Sequence, residues 1–314
     1  MNKNSRVLIC GSRGMVGSSL LRSLLKQGYS NTLTPSREEL NLEDHNAVMK
    51  YFETFKPEVV INAAAKVGGI HANNTYRADF IHKNLLIQNN IFDAAFKNEC
   101  KNFLFLGSSC IYPKLCPQPI KEEYLLTGPL EETNEPYAIA KIAGLKTAES
   151  FRKQYGLNYF SVMPTNLYGE NDNYHPDNSH VIPGIIQRMQ KAIDNNDPTF
   201  ELWGTGTVKR EFLHVDDLAY ACIYLLENKL DKHDWINIGT GKDITILEAC
   251  KTIAKEMGYV GIIQTNTEYP DGTPRKLLDV SQINKLGWES KISFQEGIRR
   301  SIKDFRTNHK DKYL

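Results

Sequence analysis

Short apolar segments alternate with longer segments of helical periodicity over the first half of the chain. The apolar segments are residues 6–10 (RVLIC), 59–64 (VVINAA), 102–108 (NFLFLGS) and 159–164 (YFSVMP). Runs of this length predict buried strands, and the intervening segments, longest over residues 76–100 and 138–155, repeat apolar positions every three or four residues, as helices do. This alternation predicts an α/β fold: a doubly wound parallel sheet with helices on both faces.

The pattern changes after about residue 170. Residues 170–179 (ENDNYHPDNS) are polar and rich in turn-forming residues, which predicts a loop. Beyond them, helical and strand segments alternate less regularly. We therefore predict a nucleotide-binding domain over residues 1–170 and a smaller mixed lobe over residues 171–314, with residues 210–240 returning to the first domain.

Three glycines lie between the first predicted strand and the first predicted helix. Gly11, Gly14 and Gly17 form G-x-x-G-x-x-G. Such glycines allow a tight turn, a close approach of the backbone to a pyrophosphate, and tight packing of helix on sheet. Anions are also favoured at a helix N-terminus, where free N–H groups point outward. The motif predicts a Rossmann dinucleotide site, and a merely structural glycine turn is the alternative.

Two arginines predict which dinucleotide is bound. In NAD sites an acidic residue about 20 positions downstream holds the ribose 2′-hydroxyl, but Arg37 occupies that place here and Arg13 lies within the glycine loop. Two guanidiniums suit a 2′-phosphate, so we expect NADP(H). Glu38 and Glu39 are expected to cap or flank the following segment. The alternative for both arginines is solvated surface charge.

A tyrosine and a lysine suggest reduction chemistry. Tyr137 and Lys141 form Y-x-x-x-K, which places both side chains on one face of a helix. The reference pKa of a phenol is near 10, and a neighbouring ammonium is expected to lower it, so that tyrosine exchanges a proton with a substrate oxygen. Ser108, at the end of the strand segment 102–108, is placed to hydrogen-bond the same oxygen.

Seven longer motifs follow one another along most of the chain. They are residues 62–69 (NAAAKVGG), 108–114 (SSCIYPK), 134–144 (NEPYAIAKIAG), 163–169 (MPTNLYG), 178–183 (NSHVIP), 210–217 (REFLHVDD) and 271–279 (DGTPRKLLD). With the glycine motif and the Ser–Tyr–Lys set, they resemble the extended branch of the short-chain dehydrogenase/reductases and, within it, the GDP-L-fucose synthases. The resemblance implies NADPH-dependent conversion of GDP-4-keto-6-deoxy-D-mannose to GDP-L-fucose, by epimerisation at C3 and C5 and reduction at C4. It also implies a homodimer.

The resemblance assigns roles that the residues alone leave open. Cys110 matches the family's base and His180 its acid, and thiol and imidazole reference pKa values, roughly 8.5 and 6.5, bracket neutrality. Taken alone, Cys110 would be a small buried residue and His180 a structural histidine at a helix start. The further contacts implied with the cofactor are Ser12, Met15, Val16, Leu42, Ala64, Leu106, Lys141, Pro164, Asn166, Leu167 and His180.

The resemblance also implies four contacts with the GDP-sugar: Arg188, Trp203, Arg210 and Asp279. Arginines suit a pyrophosphate, and tryptophan offers an aromatic surface. The alternatives are a cation on a helix surface for Arg188, a core aromatic for Trp203, and surface ion pairs for the other two. Asp216 and Asp217 are expected to cap the helix that follows them. Cys116 has no predicted role.

Composition narrows the class of protein. A net charge of +1 gives no indication of a nucleic-acid or membrane partner. The chain begins without the apolar segment of a signal peptide, no apolar run approaches a membrane span, and six scattered cysteines without a C-x-x-C motif predict neither disulfides nor a metal site. We expect reduced thiols and a cytoplasmic location.

Three other functions fit parts of this pattern. A nucleotide-sugar 4-epimerase would retain NAD, and Arg37, Cys110 and His180 disfavour it. A C4 reductase of a related GDP-4-keto-6-deoxy sugar, such as a heptose, would share nearly all the motifs without epimerising its substrate. A binding protein that senses NADP(H) would have no need of the intact set Ser108, Tyr137 and Lys141.

Overall fold

The computed structural model describes residues 1–176, 178–228, 234–269 and 271–314. The strands are β1 (Val7–Cys10), β2 (Thr32–Leu33), β3 (Val59–Asn62), β4 (Asn102–Leu106), β5 (Asn158–Pro164), β6 (Asn166–Tyr168), β7 (Thr199–Trp203), β8 (Lys209–His214), β9 (Trp235–Ile238), β10 (Asp243–Thr245), β11 (Ile262–Asn266) and β12 (Arg275–Lys276). The helices are α1 (Met15–Lys26), α2 (His45–Phe55), α3 (Ile70–Thr75), α4 (Arg77–Lys97), α5 (Glu135–Tyr155), α6 (Val181–Asn195), α7 (Val215–Asn228), α8 (Ile246–Met257), α9 (Ser281–Lys285), α10 (Phe294–Asp304) and α11 (Lys310–Tyr313).

Within the described ranges, six parallel strands form the main sheet in the order β2-β1-β3-β4-β5-β9. Every residue of β1 and β3 is buried, because helices cover both faces of the sheet. This confirms the predicted doubly wound α/β fold. The four predicted strands are present, with ends that differ from the prediction by at most two residues.

The main sheet is completed by chain segments from the second half of the sequence. Helix α7 packs beside α1, and its apolar residues share one core with β1 and β3. Strand β9 pairs with β5, aligning Ser161 with Trp235. Ile283 and Trp288, much later in the chain, belong to the same core. Residues 229–233, which fall within the segment predicted to return, lie outside the described residues.

A second core unites α6, α8 and α10 with the turn of π-helix at Phe305–His309. Its strands are short: β8 pairs with β6, β10 and β12, and β7 pairs with β11. Because β6 directly follows β5 of the main sheet, the two cores are held side by side. In the described part of the chain, no helix is both long and apolar enough to cross a membrane.

The start of α7 corrects one expectation. Asp216 and Asp217 lie in its first turn. The backbone N–H of Asp216 donates to Nδ1 of His214 at 3.2 Å. Asp217 instead accepts the backbone N–H groups of Lys291 and Ile292, at 3.0 and 2.8 Å. The prediction that the two aspartates cap α7 is therefore wrong, because tertiary partners occupy the Asp217 carboxylate.

An ion-pair network joins the two cores near this point. Nε2 of His214 lies 3.3 Å from Oε2 of Glu170, and Arg22 of α1 lies 2.9 Å from Oδ1 of Asp216. Arg300 of α10 approaches the other oxygen of Asp216 at 3.7 Å. Glu170, His214 and Asp216 bring their ligand-type atoms within 4.8 Å of one another, and the two arginines balance the carboxylate charge.

Candidate active site

The turn between β1 and α1 has the shape that a bound pyrophosphate needs. Gly11 has φ +81°, and a Cβ there would lie 2.9 Å from the Ala64 backbone. A Cβ on Gly17 would lie 2.1 Å from the carbonyl oxygen of Gly11, so α1 meets the turn closely. Gly14 is the N-cap of α1, and no side chain caps the helix. The first N–H groups of α1 are thus free for an anion, and the chain fits a dinucleotide here.

The other residues expected at the cofactor line the same edge of the sheet, where β1, β3, β4 and β5 end. Ser12 is buried, and Met15 and Val16 are half-buried at the start of α1. Ala64 follows β3 and faces Gly11, Leu106 and Pro164 end β4 and β5, and Asn166 and Leu167 begin β6. Leu42 precedes α2, and its carbonyl accepts an N–H of Asn90. Their contacts with a cofactor remain predictions.

The two arginines expected at a 2′-phosphate differ in environment. Arg37 is largely exposed and pairs with Glu43 at 2.9 Å. Arg13 is exposed in the glycine loop. Glu39 accepts the backbone N–H of Ser36, and the Ser36 hydroxyl accepts that of Glu39, so the Glu39 carboxylate is engaged in the turn that precedes it, and Asp44 caps the helix that follows. No carboxylate among the described residues lies within ion-pair distance of Arg13, so it is the more available cation.

Ser108, Cys110 and Tyr137 come together just beyond the end of β4. The Ser108 hydroxyl accepts the backbone N–H of Cys110 at 3.2 Å, because Ser108 caps a short 3-10 turn over Ser109–Ile111. The Tyr137 side chain hydrogen-bonds with Ser108. Tyr137 also meets the Phe80 ring edge-on, with centroids 6.3 Å apart. A thiol and two hydroxyls therefore share one small region.

Lys141 lies one turn beyond Tyr137 on α5 and is nearly inaccessible to solvent. Its ammonium donates to the carbonyl of Leu106 at 2.7 Å and lies 5.7 Å from the centroid of the Tyr137 ring. Burial lowers the pKa of Lys141 to about 8.

The expected lowering of the Tyr137 pKa is wrong for this structure. Burial, and then the nearby charge of Cys110, raise the pKa of Tyr137, and the hydrogen bond with Ser108 offsets this only in part. Loss of hydration dominates because it penalises the phenolate directly. Tyr137 is thus held as a neutral phenol, the form that a proton donor requires.

His180 is the N-cap of α6. Its side chain reaches solvent, yet surrounding protein reduces its hydration and lowers the pKa of the imidazole. The carbonyl of His180 accepts the N–H of Gly184 at 3.0 Å, which fixes the backbone. The imidazole forms no ion pair with another of the described residues, so its ring is available for proton transfer.

Arg188 and Trp203 form one unit on the second lobe. The Arg188 guanidinium lies 4.1 Å from the Trp203 ring centroid and donates to the carbonyl of Glu201 at 2.8 Å. Tyr269 stacks on Trp203, with centroids 4.5 Å apart and planes 12° apart. The half-exposed stack offers an aromatic surface beside a cation. No motif above includes Tyr269, so it could not be recognised from the sequence.

Arg210 and Asp279 lie on segments that the buried Glu211 fixes. The Glu211 carboxylate accepts the backbone N–H groups of Thr240, Gly241 and Leu278. Asp279 follows Leu278, and its own carboxylate accepts the N–H of Ser281. The Arg210 guanidinium is electrostatically coupled to Asp271 and to Cys110. Glu211 was missed because its partners are 29 to 67 residues away in sequence.

The chain is similar to known proteins over most of its length. The profile of the family described as "NAD dependent epimerase/dehydratase family" matches residues 7–239. The chain is 52% identical over 311 residues to a protein of Escherichia coli (strain K12) named GDP-L-fucose synthase, covering 96% of this chain and 97% of that one. It is 49% identical over 300 residues to GDP-L-fucose synthase 1 of Arabidopsis thaliana, covering 96% and 93%.

A solved structure is similar over nearly the whole chain. It is described as MlghC, GDP-mannoheptose C4 reductase from Campylobacter jejuni with NADP bound, and has 37% identity and a TM-score of 0.89, covering 98% of this chain and all of that one. The identity to the two synthases is higher, which confirms the resemblance found in the motifs. The chain belongs to the NAD dependent epimerase/dehydratase family and, within it, to the GDP-L-fucose synthases.

Proposed function

We propose that the chain converts GDP-4-keto-6-deoxy-D-mannose to GDP-L-fucose with NADPH as reductant. The observation that carries this proposal is the grouping at the end of β4. There the Ser108 hydroxyl accepts the backbone N–H of Cys110 and hydrogen-bonds with Tyr137, and the Cys110 thiol lies close enough to act electrostatically on Tyr137. The thiol supplies a base for carbons next to a ketone, and the hydroxyls hold and protonate the ketone oxygen. A reductase alone needs only the hydroxyls.

Epimerisation uses the acidity of the carbons that flank C4. Cys110, as thiolate, takes a proton from C3 or C5, and the electron pair of the C–H bond moves into the ketone as an enolate. His180 returns a proton to the opposite face of that carbon, which inverts it. No electrons are gained or lost, so the substrate keeps its oxidation state and the step needs no coenzyme.

Reduction follows at C4. When bound, NADPH supplies the hydride. Tyr137 gives its phenolic proton to O4 as the new C–H bond forms, and Ser108 hydrogen-bonds the same oxygen. Lys141 is anchored on the Leu106 carbonyl with its ammonium 5.7 Å from the centroid of the Tyr137 ring, and we assign it the role of restoring the Tyr137 proton. Gly11, Gly14 and Gly17 with the α1 N-terminus hold the pyrophosphate, and Arg13 selects the 2′-phosphate.

Substrate recognition is assigned to the second lobe. Arg188 and Arg210 bind the pyrophosphate of the GDP-sugar, and the face formed by Trp203 and Tyr269 contacts the nucleotide. Burial lowers the pKa of both arginines, yet each remains charged at neutral pH, because guanidinium pKa values lie far above it. Asp279 supplies a hydrogen-bond acceptor. A GDP-sugar would thus span the space between the two cores.

One experiment separates this function from simple C4 reduction. Substrate is incubated in deuterated water without NADPH, and deuterium at C3 and C5 is measured by mass spectrometry. We expect exchange with the unmodified protein, and a loss of roughly 10²-fold or more with Cys110→Ser, because a hydroxyl is a far weaker base. Cys116→Ser is the matched control, since Cys116 is buried in a separate apolar cluster, and it should exchange normally.

The opposite result favours the rival function. If the unmodified protein reduces the 4-keto sugar well but exchanges neither hydrogen, it is a C4 reductase. The specific observation behind that rival is the 37% identity to the heptose C4 reductase named above. Incubation with NADPH and identification of the product by NMR then distinguishes an epimerised sugar from one that keeps its configuration.

We further propose a homodimer formed through α4 and α5. These helices pack on each other, and α5 exposes two large apolar side chains, Ile139 and Tyr155, which are 41% and 48% accessible. The Phe96 and Tyr155 rings lie 4.6 Å apart there. Ile139→Glu should convert the dimer to a monomer in analytical ultracentrifugation. A cytoplasmic location is proposed as well, and its support is that all six cysteines are free thiols.

A further inference from the structure

Lys276 lies on a segment whose backbone is held on both sides. It ends β12, which pairs with β8 and aligns Lys276 with Arg210. The next two backbone N–H groups donate to side chains: that of Leu277 to Gln118 at 2.8 Å, and that of Leu278 to Glu211 at 2.9 Å. The backbone that carries Lys276 is therefore held by two separate parts of the chain, β8 and the segment at Gln118.

The Lys276 ammonium points at the active-site thiol. Its Nζ lies 3.6 Å from the Sγ of Cys110, across 166 residues of sequence. Within the described part of the chain, no carboxylate lies within 4.0 Å of this ammonium. Two neighbouring cations do have acidic partners: Arg275 pairs with Asp243, and Lys114 lies 3.8 Å from Glu131. Lys276 is thus a half-buried positive charge whose nearest polar partner is sulphur.

Other titratable groups face Cys110 from different elements. Tyr137 and Lys141 approach from α5, and Arg210 approaches from β8. Lys141 already donates to the Leu106 carbonyl, and Arg210 donates to the carbonyl of Lys209 at 2.8 Å. Lys276 differs from both of these cations. Among the described residues, its ammonium donates to the Cys110 sulphur and not to a carbonyl oxygen.

We propose that Lys276 is a positioning residue for Cys110: its ammonium holds the sulphur in place and stabilises the thiolate that removes the substrate proton. This inference rests on the proposed epimerase function. Before the step, the pair is thiolate and ammonium. The proton from C3 or C5 then goes to sulphur, the negative charge moves to the enolate oxygen, and Lys276 keeps its three protons throughout. A cation beside a thiol favours the thiolate, which is the form of Cys110 that accepts the substrate proton.

The test follows the reactivity of Cys110 with iodoacetamide from pH 5.5 to 9.5, measured by mass spectrometry of its peptide. The other five cysteines are buried, so Cys110 is the accessible target. With Lys276→Met we expect alkylation at pH 7 to fall roughly tenfold and the profile to move up by about one pH unit, the low end for loss of an adjacent opposite charge. Lys276→Arg keeps the charge and should stay within about threefold of the unmodified protein.

The matched control is Lys114→Met, which removes another lysine from the same pocket but one that has an acidic neighbour. It should leave the alkylation profile unchanged. An unchanged profile in Lys276→Met overturns the inference, as does an equal loss in Lys276→Arg, which would mean that shape and not charge is required. If Lys276→Met fails to fold by circular dichroism, Lys276→Gln replaces it under the same criteria.

Deuterium exchange on the same variants separates the two proposals. We expect exchange at pH 7 to fall about tenfold in Lys276→Met and to recover as the pH rises, because the thiolate then forms unaided. If alkylation of Cys110 depends on Lys276 but the unmodified protein shows no deuterium exchange, the proposed epimerase function is wrong. The proposed stabilisation of the Cys110 thiolate by Lys276 is then still supported. Normal exchange at pH 7 in Lys276→Met would defeat the role of Lys276 and leave the function standing.

Discussion

The cofactor side and the sugar side of this cleft are constructed differently. On the cofactor side, the glycine turn and the uncapped start of α1 present mainly backbone groups. On the proposed sugar side, the assigned side chains come from separate elements: Arg188 from α6, Trp203 from β7, Arg210 from β8 and Lys276 from β12. A site made of backbone is damaged by added atoms, whereas a site made of side chains is damaged by lost ones. The two sides should therefore respond oppositely to substitution.

The largest effect is expected where the two sides meet. Tyr137→Phe removes one hydroxyl and keeps the ring, so C4 reduction should fall by at least roughly 10²-fold, the low end for a positioned acid. Deuterium exchange at C3 and C5 should continue, because Cys110 and His180 are intact. Stopped-flow measurement of NADPH oxidation checks the first effect. A variant with near-normal turnover would remove Tyr137 as the principal proton donor.

The next effect sharpens the contrast by adding a single methyl group. Gly17→Ala would place a Cβ 2.1 Å from the carbonyl oxygen of Gly11, and we expect a loss of about 3 kcal/mol in the free energy of unfolding, the upper end for overpacking. Gly14→Ala is its control, since the nearest atom to that Cβ is 3.5 Å away, and it should cost less than about 1 kcal/mol. Urea denaturation measures both, and equal losses would contradict a tightly packed turn.

The third prediction concerns a charged side chain on the cofactor side, Arg13, and its effect on coenzyme preference. Arg13→Ala should reduce the preference for NADPH over NADH by roughly 1.5–3 kcal/mol, the value of a charge-assisted hydrogen bond. Arg37→Ala should cost less, because Arg37 already pairs with Glu43. Steady-state kinetics with both coenzymes supply the ratio of kcat/KM. An unmodified protein that uses both coenzymes equally well would refute the assignment.

The smallest effect concerns the network that joins the two cores. The hydrogen bond with His214 is the main reason that the pKa of Glu170 is lowered, to about 2, with burial opposing it. Because the folded pKa lies below the ordinary value of 4.5, the stabilisation is fully present above pH 4.5 and is lost as the pH falls towards 2. Glu170→Gln should thus cost about 1 kcal/mol of unfolding free energy at pH 7, after allowance for partial exposure.

The pH dependence of that cost is the decisive measurement. Urea denaturation at pH 7, 5 and 3 should show the difference between Glu170→Gln and the unmodified protein shrinking at the lowest pH. Glu289→Gln, at an exposed carboxylate, is the control and should show little difference at any pH. If Glu170→Gln loses the same unfolding free energy at pH 7 and pH 3, the charge of Glu170 does not stabilise the contact between the two cores.

The contrast between the two sides also explains what the sequence predicted. The strands and the glycine turn are predictable because they depend on local features: runs such as VLIC, buried on both faces, and spacings that only glycine satisfies. Ser108, Tyr137 and Lys141 are predictable for the same reason, since a strand end and one helical turn fix their relative positions.

The features of the site that the sequence does not predict depend on contacts between segments that are distant in the chain. The contact of Lys276 with Cys110 spans 166 residues, and Tyr269 reaches Trp203 from a segment without regular structure. The direction of the Tyr137 pKa depends on burial by several elements, so the neighbouring lysine alone predicts it wrongly. Lys276 does fall within the motif DGTPRKLLD, which was the one local indication that its segment belongs to the site.

The late completion of the main sheet has a consequence for synthesis on the ribosome. A nascent chain that ends at residue 170 already carries β1 to β5, but β9, at residues 235–238, has not emerged, so the edge of β5 is unpaired. The apolar surface that α7, Ile283 and Trp288 cover in the folded protein is also exposed at this stage. An unpaired edge beside uncovered apolar surface invites association with other chains. The protein must therefore pass through a long vulnerable stage before its first core can close, and a chaperone that shields this edge would raise the yield of folded protein.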